Sequence, residues 1–283
     1  MIIFLFFNPS CVLRLIDYLQ HYSCHILRTL SVFIPHYQNF LNMVTISITG
    51  GNGDVGTEAS KQLSALDEVT KIYLTCRSKE KAEGAIDNLV KITGKDPSFF
   101  GYILLDVMDI TSIKNAIKDF PKVDRLCLNI GGLANCKIHE ASGAVDAMVM
   151  NTLGQVVLAN GLIDAKKVAV GGRIIFVGSE VSRSVYSFSG LLPDYSKFEE
   201  EDIDNVITTV YNDCLTGALP VRSQLGDYKN SKIIGQLYFS HMAKVYPEYF
   251  FMTVSPGKLY LANYIQCPQN RIPMNPIPFT RSW

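Results

Sequence analysis

The sequence predicts an α/β fold, a doubly wound parallel sheet of about six strands, on three observations. Short apolar or β-branched runs alternate with helical patterns along most of the chain. The first run, Val44-Thr-Ile-Ser-Ile48, leads through the glycine-rich turn Thr49-Gly50-Gly51-Asn52-Gly53-Asp54-Val55-Gly56 into a helical stretch carrying Ala59, Leu63 and Leu66. With 283 residues, 48% of them hydrophobic and 18% charged, the chain has enough apolar material for one globular domain with a full core. The alternation, with no convincing strand after Gly257, predicts six parallel strands in the order 3-2-1-4-5-6, joined by right-handed crossovers, with helices on both faces and ligands outside the carboxyl ends of the strands.

Residues 1–42 do not share this rhythm. Ile2-Ile-Phe-Leu-Phe-Phe7 is apolar, but Asn8-Pro9 interrupts it. Further on, Arg14, Asp17, His21 and Arg28 break up the apolar residues, so no apolar stretch of about 20 residues is present. The segment is expected to be a loosely packed extension that can be removed without loss of the fold. A membrane-surface or organelle-import helix is the alternative, since Arg14 and Arg28 stand against the single acid Asp17. The domain proper is placed at 43–257.

The turn after the first strand needs glycine for two reasons. Some of its positions require dihedrals closed to other residues, and a side chain would hold a pyrophosphate away from the amides at the helix start. The glycines fit two registers, Gly51-x-Gly53-x-x-Gly56 or Thr49-Gly50-x-x-Gly53-x-x-Gly56. Lys71-Ile-Tyr-Leu-Thr-Cys76 is the second strand, followed by a helix to about Thr93-Gly94. An acid about 20 residues past the glycines would select the free ribose hydroxyl of NAD. Cys76 and Arg77 stand there instead, and an arginine suits a 2′-phosphate, so the predicted cofactor is NADP (NADPH).

Phe100–Leu105 is a third strand, 110–120 a helix, Val123–Leu128 a fourth strand closed by Asn129-Ile130-Gly131-Gly132, and 146–168 a long helix containing Asn151. Arg173–Val177 is a fifth strand ending at Gly178-Ser179. Residues 180–227 form a long connection, read as a partly helical insertion with a short helix near 203–211. Tyr228–Tyr246 is the next helix, Phe250–Val254 a sixth strand, and Ser255-Pro256-Gly257 leads to an irregular tail, 258–283, that is expected to add no strand.

Tyr228-Lys-Asn-Ser-Lys232 sets a phenol and an ammonium four residues apart, on one helical face. A nearby ammonium stabilises a phenolate, drawing tyrosine from its usual pKa of about 10 towards working pH. Tyr228 is thereby a candidate acid/base for carbonyl reduction, and a second hydroxyl such as that of Ser179 could hold the substrate oxygen.

In order and spacing these residues resemble the short-chain dehydrogenase/reductase family over roughly 44–257. The carriers are the Thr49–Gly56 glycine motif, Asp106, Asn129-Ile-Gly131, Asn151, Ser179, Tyr228 with Lys232, and Pro256-Gly257. The resemblance implies a Rossmann fold and an oxidoreductase that moves a hydride between NADP and a carbonyl or alcohol. Tyr228 would be the proton donor and Ser179 would orient the carbonyl. Lys232 would bind the nicotinamide ribose and lower the tyrosine pKa, while Asn151 would support a proton-relay water. Cofactor contacts would come from Thr49, Gly50, Asn52, Gly53, Asp54, Val55 and Gly56, from Arg77, Asp106 and Val107, from Asn129 and Gly131, from Tyr228 and Lys232, and from Pro256 and Gly257. Asp54 stands where simpler members carry their middle glycine, and Gly53 fits the extended and atypical members. Ile130 replaces a small alanine. The long insertion and Thr75-Cys-Arg-Ser78 are loosely similar to the protochlorophyllide and retinol reductase branches.

Composition bounds the partners. Lys plus Arg and Asp plus Glu are 26 each, so no global field favours nucleic acid. Seven scattered cysteines without a Cys-x-x-Cys pair give no metal site and fit a reducing, cytoplasmic setting. The expected partner is a small-molecule carbonyl or alcohol, with a homo-oligomer allowed. Two rival readings are a non-catalytic NADP-binding sensor and a truncated, inactive family member.

Overall fold

Apolar runs without strict alternation belong in a sheet covered on both faces, and each such run forms a strand. β1 is Val44–Thr49, β2 Val69–Cys76, β3 Phe100–Leu104, β4 Val123–Leu128, β5 Val168–Val177 and β6 Phe250–Val254. The computed structural model describes residues 43–183, 216 and 223–256. All neighbouring strands pair in parallel, in the order β3-β2-β1-β4-β5-β6, as the alternation predicts. The reversal of strand order falls between β1 and β4, where open sheets of this kind bind ligands.

Helices α1 (Asp54–Ser64) and α2 (Lys79–Thr93) cover one face through Leu63, Ala82 and Leu89, packed on Ile46, Ile48, Ile72 and Leu74. Helices α3 (Ile110–Asp119), α4 (146–164) and α5 (Gln224–Val245) cover the other, with Ile113, Leu158, Leu162 and Phe239 packed on Leu126, Leu128, Ile174 and Phe176. Local chemistry sets several ends. Ser78 and Asp109 accept from the Lys81 and Thr111 amides at the starts of α2 and α3, and Gly94 closes α2 in the left-handed region at φ 68°.

Helix α4 departs from the predicted 146–168. It runs as Asp146–Met148, a π-helical turn Val149–Leu153, and Gly154–Asp164. Its end is a Schellman closure, in which the Lys166 amide donates to the Ile163 carbonyl and the Lys167 amide to that of Leu162. The left-handed residue is Lys166, at φ 56°, so the glycine that usually marks such an end is missing. β5 then starts at Val168 rather than Arg173. Its pairing with β4 jumps from Val123–Val168 to Arg125–Arg173, and Gly171, at φ 75°, lies inside this irregularity rather than in a turn before the strand. α5 begins at Gln224, four residues before Tyr228, because Ser223 accepts from the Gly226 amide at 3.0 Å. The expectations for 1–42, the helix near 203–211, Gly257 and the tail 258–283 lie outside the described residues.

Candidate active site

The carboxyl ends of the strands collect most of the candidate site residues. At the end of β1, the Gly50 amide donates to the Thr75 hydroxyl at 3.1 Å and the Gly51 amide to the Thr75 carbonyl at 3.3 Å, fastening the glycine turn to β2. Gly50 has a left-handed φ of 63°. A Cβ on Gly51 would lie 2.5 Å from the Leu74 side chain, and one on Gly56 would lie 2.7 Å from the Gly50 carbonyl oxygen. Gly53 differs, because its nearest neighbour would be 3.4 Å away and the residue is exposed. Internal packing therefore requires glycine at 50, 51 and 56, whereas at 53 its small size matters only on the outer side. Gly53 also caps α1 without a side-chain hydrogen bond, with Asn52 and Asp54 exposed beside it and Val55 half-buried.

Arg77 is exposed immediately after β2. Cys76 before it is buried, and burial pushes its thiol pKa up, against a hydrogen bond from the Asn52 amide and the nearby Lys81 charge. Beyond β3, the Asp106 carboxylate accepts from the Met108 amide at 2.9 Å, and the Asp106 amide donates to the Ser112 hydroxyl. Val107 is buried against α4, where a Cβ on Gly154 would fall 2.0 Å from the Val107 carbonyl oxygen.

At the end of β4 the chain is held by Thr49, whose hydroxyl accepts from the Asn129 and Ile130 amides at 2.8 and 3.1 Å. The Asn129 side chain donates to the Thr49 carbonyl at 3.0 Å. Thr49 is fully buried, so its side chain shapes the two loops from within. Asn151, also fully buried, lies in the π-helical turn, a feature frequent at functional sites. Its amide clamps Gly132 from both sides, accepting from the Gly132 amide at 2.8 Å and donating to the Gly132 carbonyl at 3.0 Å, and it also donates to the Ala147 carbonyl.

Helix α5 reaches this region from the same face of the sheet as α4. Lys232 is 2% exposed and donates to the Val177 carbonyl at 2.8 Å. Its ammonium lies 5.1 Å from the Phe176 ring centroid and 5.8 Å from that of Tyr228. Burial in these surroundings pushes the amine from an ordinary 10.5 down to about 7. A Cβ on Gly131 would lie 2.7 Å from the Lys232 nitrogen and 2.8 Å from the Asn151 oxygen, so three segments meet at that glycine. Tyr228 is half-buried one turn before Lys232, and Ser179 follows Val177 by two residues, its hydroxyl accepting from the Val181 amide. A small cavity of about 30 Å³, roughly water-sized, is lined by Val55, Asn129, Val177, Val254 and Pro256 and marks where α1 meets the ends of β4, β5 and β6.

Several residues that shape this region were not legible as such. Thr75, Thr152 and Gln155 supply buried hydrogen bonds, the Thr152 hydroxyl donating to the Ser231 carbonyl at 2.6 Å. Gly154 and Gly235 permit close approach, and a Cβ on Gly235 would lie 2.4 Å from the Phe176 ring. For the helical ones the sequence signal is a small or polar residue inside an otherwise apolar helical pattern, and for Thr75 a polar residue inside an apolar strand.

Similarity to known proteins agrees with this geometry. The family model for short chain dehydrogenase matches residues 44–191. The chain is 26% identical to (+)-neomenthol dehydrogenase of Arabidopsis thaliana over 241 residues, 74% of this chain and 81% of that protein. It is 28% identical to retinol dehydrogenase 11 of Mus musculus over 136 residues, 47% of this chain but only 42% of that protein. Among solved structures, menthone neomenthol reductase from Mentha piperita superposes with a TM-score of 0.57 at 21% identity, covering 76% of this chain and 89% of that one. Salutaridine reductase from Papaver somniferum does so with a TM-score of 0.54 at 23% identity, covering 76% and 86%. The sheet order, the glycine turn and the matched family model agree, and the chain belongs to the short chain dehydrogenase family of oxidoreductases.

Proposed function

We propose that the chain is an NADP-dependent oxidoreductase that transfers a hydride between the cofactor and a carbonyl or alcohol substrate, with Tyr228 as general acid/base. The observation that carries this reading is the docking of α5. It buries Lys232 on the Val177 carbonyl, two residues before Ser179, with the ammonium 5.8 Å from the Tyr228 ring.

The residues present fit a dinucleotide. The exposed Gly53 backbone opens onto the start of α1, whose positive dipole end and first-turn amides suit a pyrophosphate. Gly50, Asn52, Asp54, Val55 and Gly56 would line that contact. Arg77 would pair with a 2′-phosphate, since guanidinium offers charge-assisted, bidentate hydrogen bonds that a hydroxyl cannot match. Asp106 and Val107 would border the adenine, Asn129 and Gly131 the middle of the cofactor, and Pro256 the far end, next to Gly257.

When bound, the nicotinamide supplies the hydride in reduction and receives it in oxidation. The chain handles the proton. In reduction the Tyr228 hydroxyl gives its proton to the substrate oxygen, so that hydride and proton together convert C=O into an alcohol. Where Lys232 carries its proton, at and below about pH 7, its ammonium stabilises the phenolate left behind, and the Ser179 hydroxyl donates a hydrogen bond to the same substrate oxygen. Asn151 acts through its clamp on Gly132, which keeps the β4 loop in place beside Lys232.

Cofactor choice is tested by titrating NADPH and NADH by fluorescence, with NADPH oxidation followed across a panel of carbonyl compounds. NADPH should bind more tightly than NADH, and Arg77→Ala should remove most of that difference. Unchanged relative affinities in Arg77→Ala would contradict the assignment, and tight NADPH binding without turnover would favour the sensor.

A further inference from the structure

Gln155 is a fully buried primary amide in the middle of α4, and every part of it is engaged. Its nitrogen donates to the Ile130 carbonyl at 2.8 Å and to the Asn151 carbonyl at 2.9 Å. Its oxygen accepts from the Thr49 hydroxyl at 3.4 Å. Thr49 already accepts two backbone amides, those of Asn129 and Ile130, so its single proton is the one directed at Gln155. The amide can sit only one way round, because the reversed orientation would press its oxygen against two carbonyl oxygens.

One side chain thus joins the end of β1, the loop after β4 and the π-helical turn of α4. These segments meet next to Gly131, where there is no slack against Lys232 and Asn151. The order of the strands locates them. Arg77 and Asp106 follow β2 and β3 on one side of the reversal, whereas Ile130, Gly131 and Ser179 follow β4 and β5 on the other. A dinucleotide laid across the reversal has its adenosine half on the first side and its nicotinamide half on the second.

We propose that Gln155 is a positioning residue for the nicotinamide half of the cofactor, tying the β1 end, the Ile130-Gly131 backbone and the Asn151 turn into one rigid floor. It touches neither cofactor nor substrate and acts through Thr49, Ile130 and Asn151. The proposal rests on the dinucleotide reading of the site. Replacing the amide by an apolar group leaves two carbonyls and a hydroxyl buried without their partner, so the floor rearranges towards other partners. The adenosine side, held by Thr75 and the Asp106 turn, keeps its own hydrogen bonds.

Calorimetric titration of the full chain with NADPH and with adenosine 2′,5′-bisphosphate, which lacks the nicotinamide half, tests this. In Gln155→Leu the NADPH Kd should rise about tenfold or more, while the bisphosphate Kd stays within about twofold of wild type. Equal weakening of both would assign Gln155 a general structural role, and no change in either would remove it from cofactor binding; both outcomes overturn the proposal. If Gln155→Leu does not fold, Gln155→Glu, which keeps the size and loses the two N–H donations, is read by the same split. A wild-type chain that binds neither probe would instead contradict the dinucleotide reading itself, and this proposal with it.

Discussion

Lys232 is an amine held where its charge is disfavoured, with one carbonyl and two aromatic faces in place of water. Its folded-state pKa of about 7 lies below that of the same amine in the unfolded chain, ~10.4. Between these values the unfolded state binds the proton that the folded state has released, so stability rises with pH across that window. Below about pH 7 both states are protonated and the cost of burying the charge is fully present. Lys232→Met should therefore flatten this part of the profile, as urea unfolding at pH 7 and pH 9.5 would reveal. Parallel profiles for the two proteins would mean that the buried amine is not the source. The pairing of Tyr228 with Lys232 was legible because both lie within one helical turn. The role of Gln155 was not, since its Thr49 partner is 106 positions away and nothing local marks it.

At the scale of elements, strands and short helices follow directly from apolar runs and caps, and their predicted bounds fall close to those observed. The largest departure is at the junction of α4 and β5. Lys166 takes the left-handed conformation that glycine usually signals, while Gly171 and Gly172 resemble a turn but lie inside β5. The π-helical turn at Asn151 was equally hidden, because one extra residue in a helical turn leaves no compositional trace. The seating of α5 on β5 depends on absent side chains at two places. A Cβ on Gly178 would lie 2.3 Å from the Gln236 amide, and one on Gly235 would lie 2.4 Å from the Phe176 ring. Gly235→Val should lift α5 from the sheet, costing about 1–3 kcal/mol of stability, as overpacking generally does. Turnover should fall with it, since Tyr228 and Lys232 ride on the same helix. Unchanged melting and turnover in this variant would show that the contact can be relieved locally.

At the scale of the whole molecule, the parallel sheet brings residues from 49 to 256 to the carboxyl ends of its strands, and the proposed chemistry rests on that convergence. No described helix is long and apolar enough to cross a membrane, and the described residues contain no group of three or more His, Cys, Asp or Glu able to hold a metal ion. The proposed acid/base group, Tyr228, stands on α5 beside the strand ends. The most direct test is Tyr228→Phe, assayed for NADPH oxidation with the most rapidly reduced carbonyl of a panel and for NADPH binding by fluorescence. Turnover should fall by about 10²-fold or more, the scale of losing a positioned acid, while the NADPH Kd changes little. Full activity in the phenylalanine variant would contradict the assignment of Tyr228 as the proton donor.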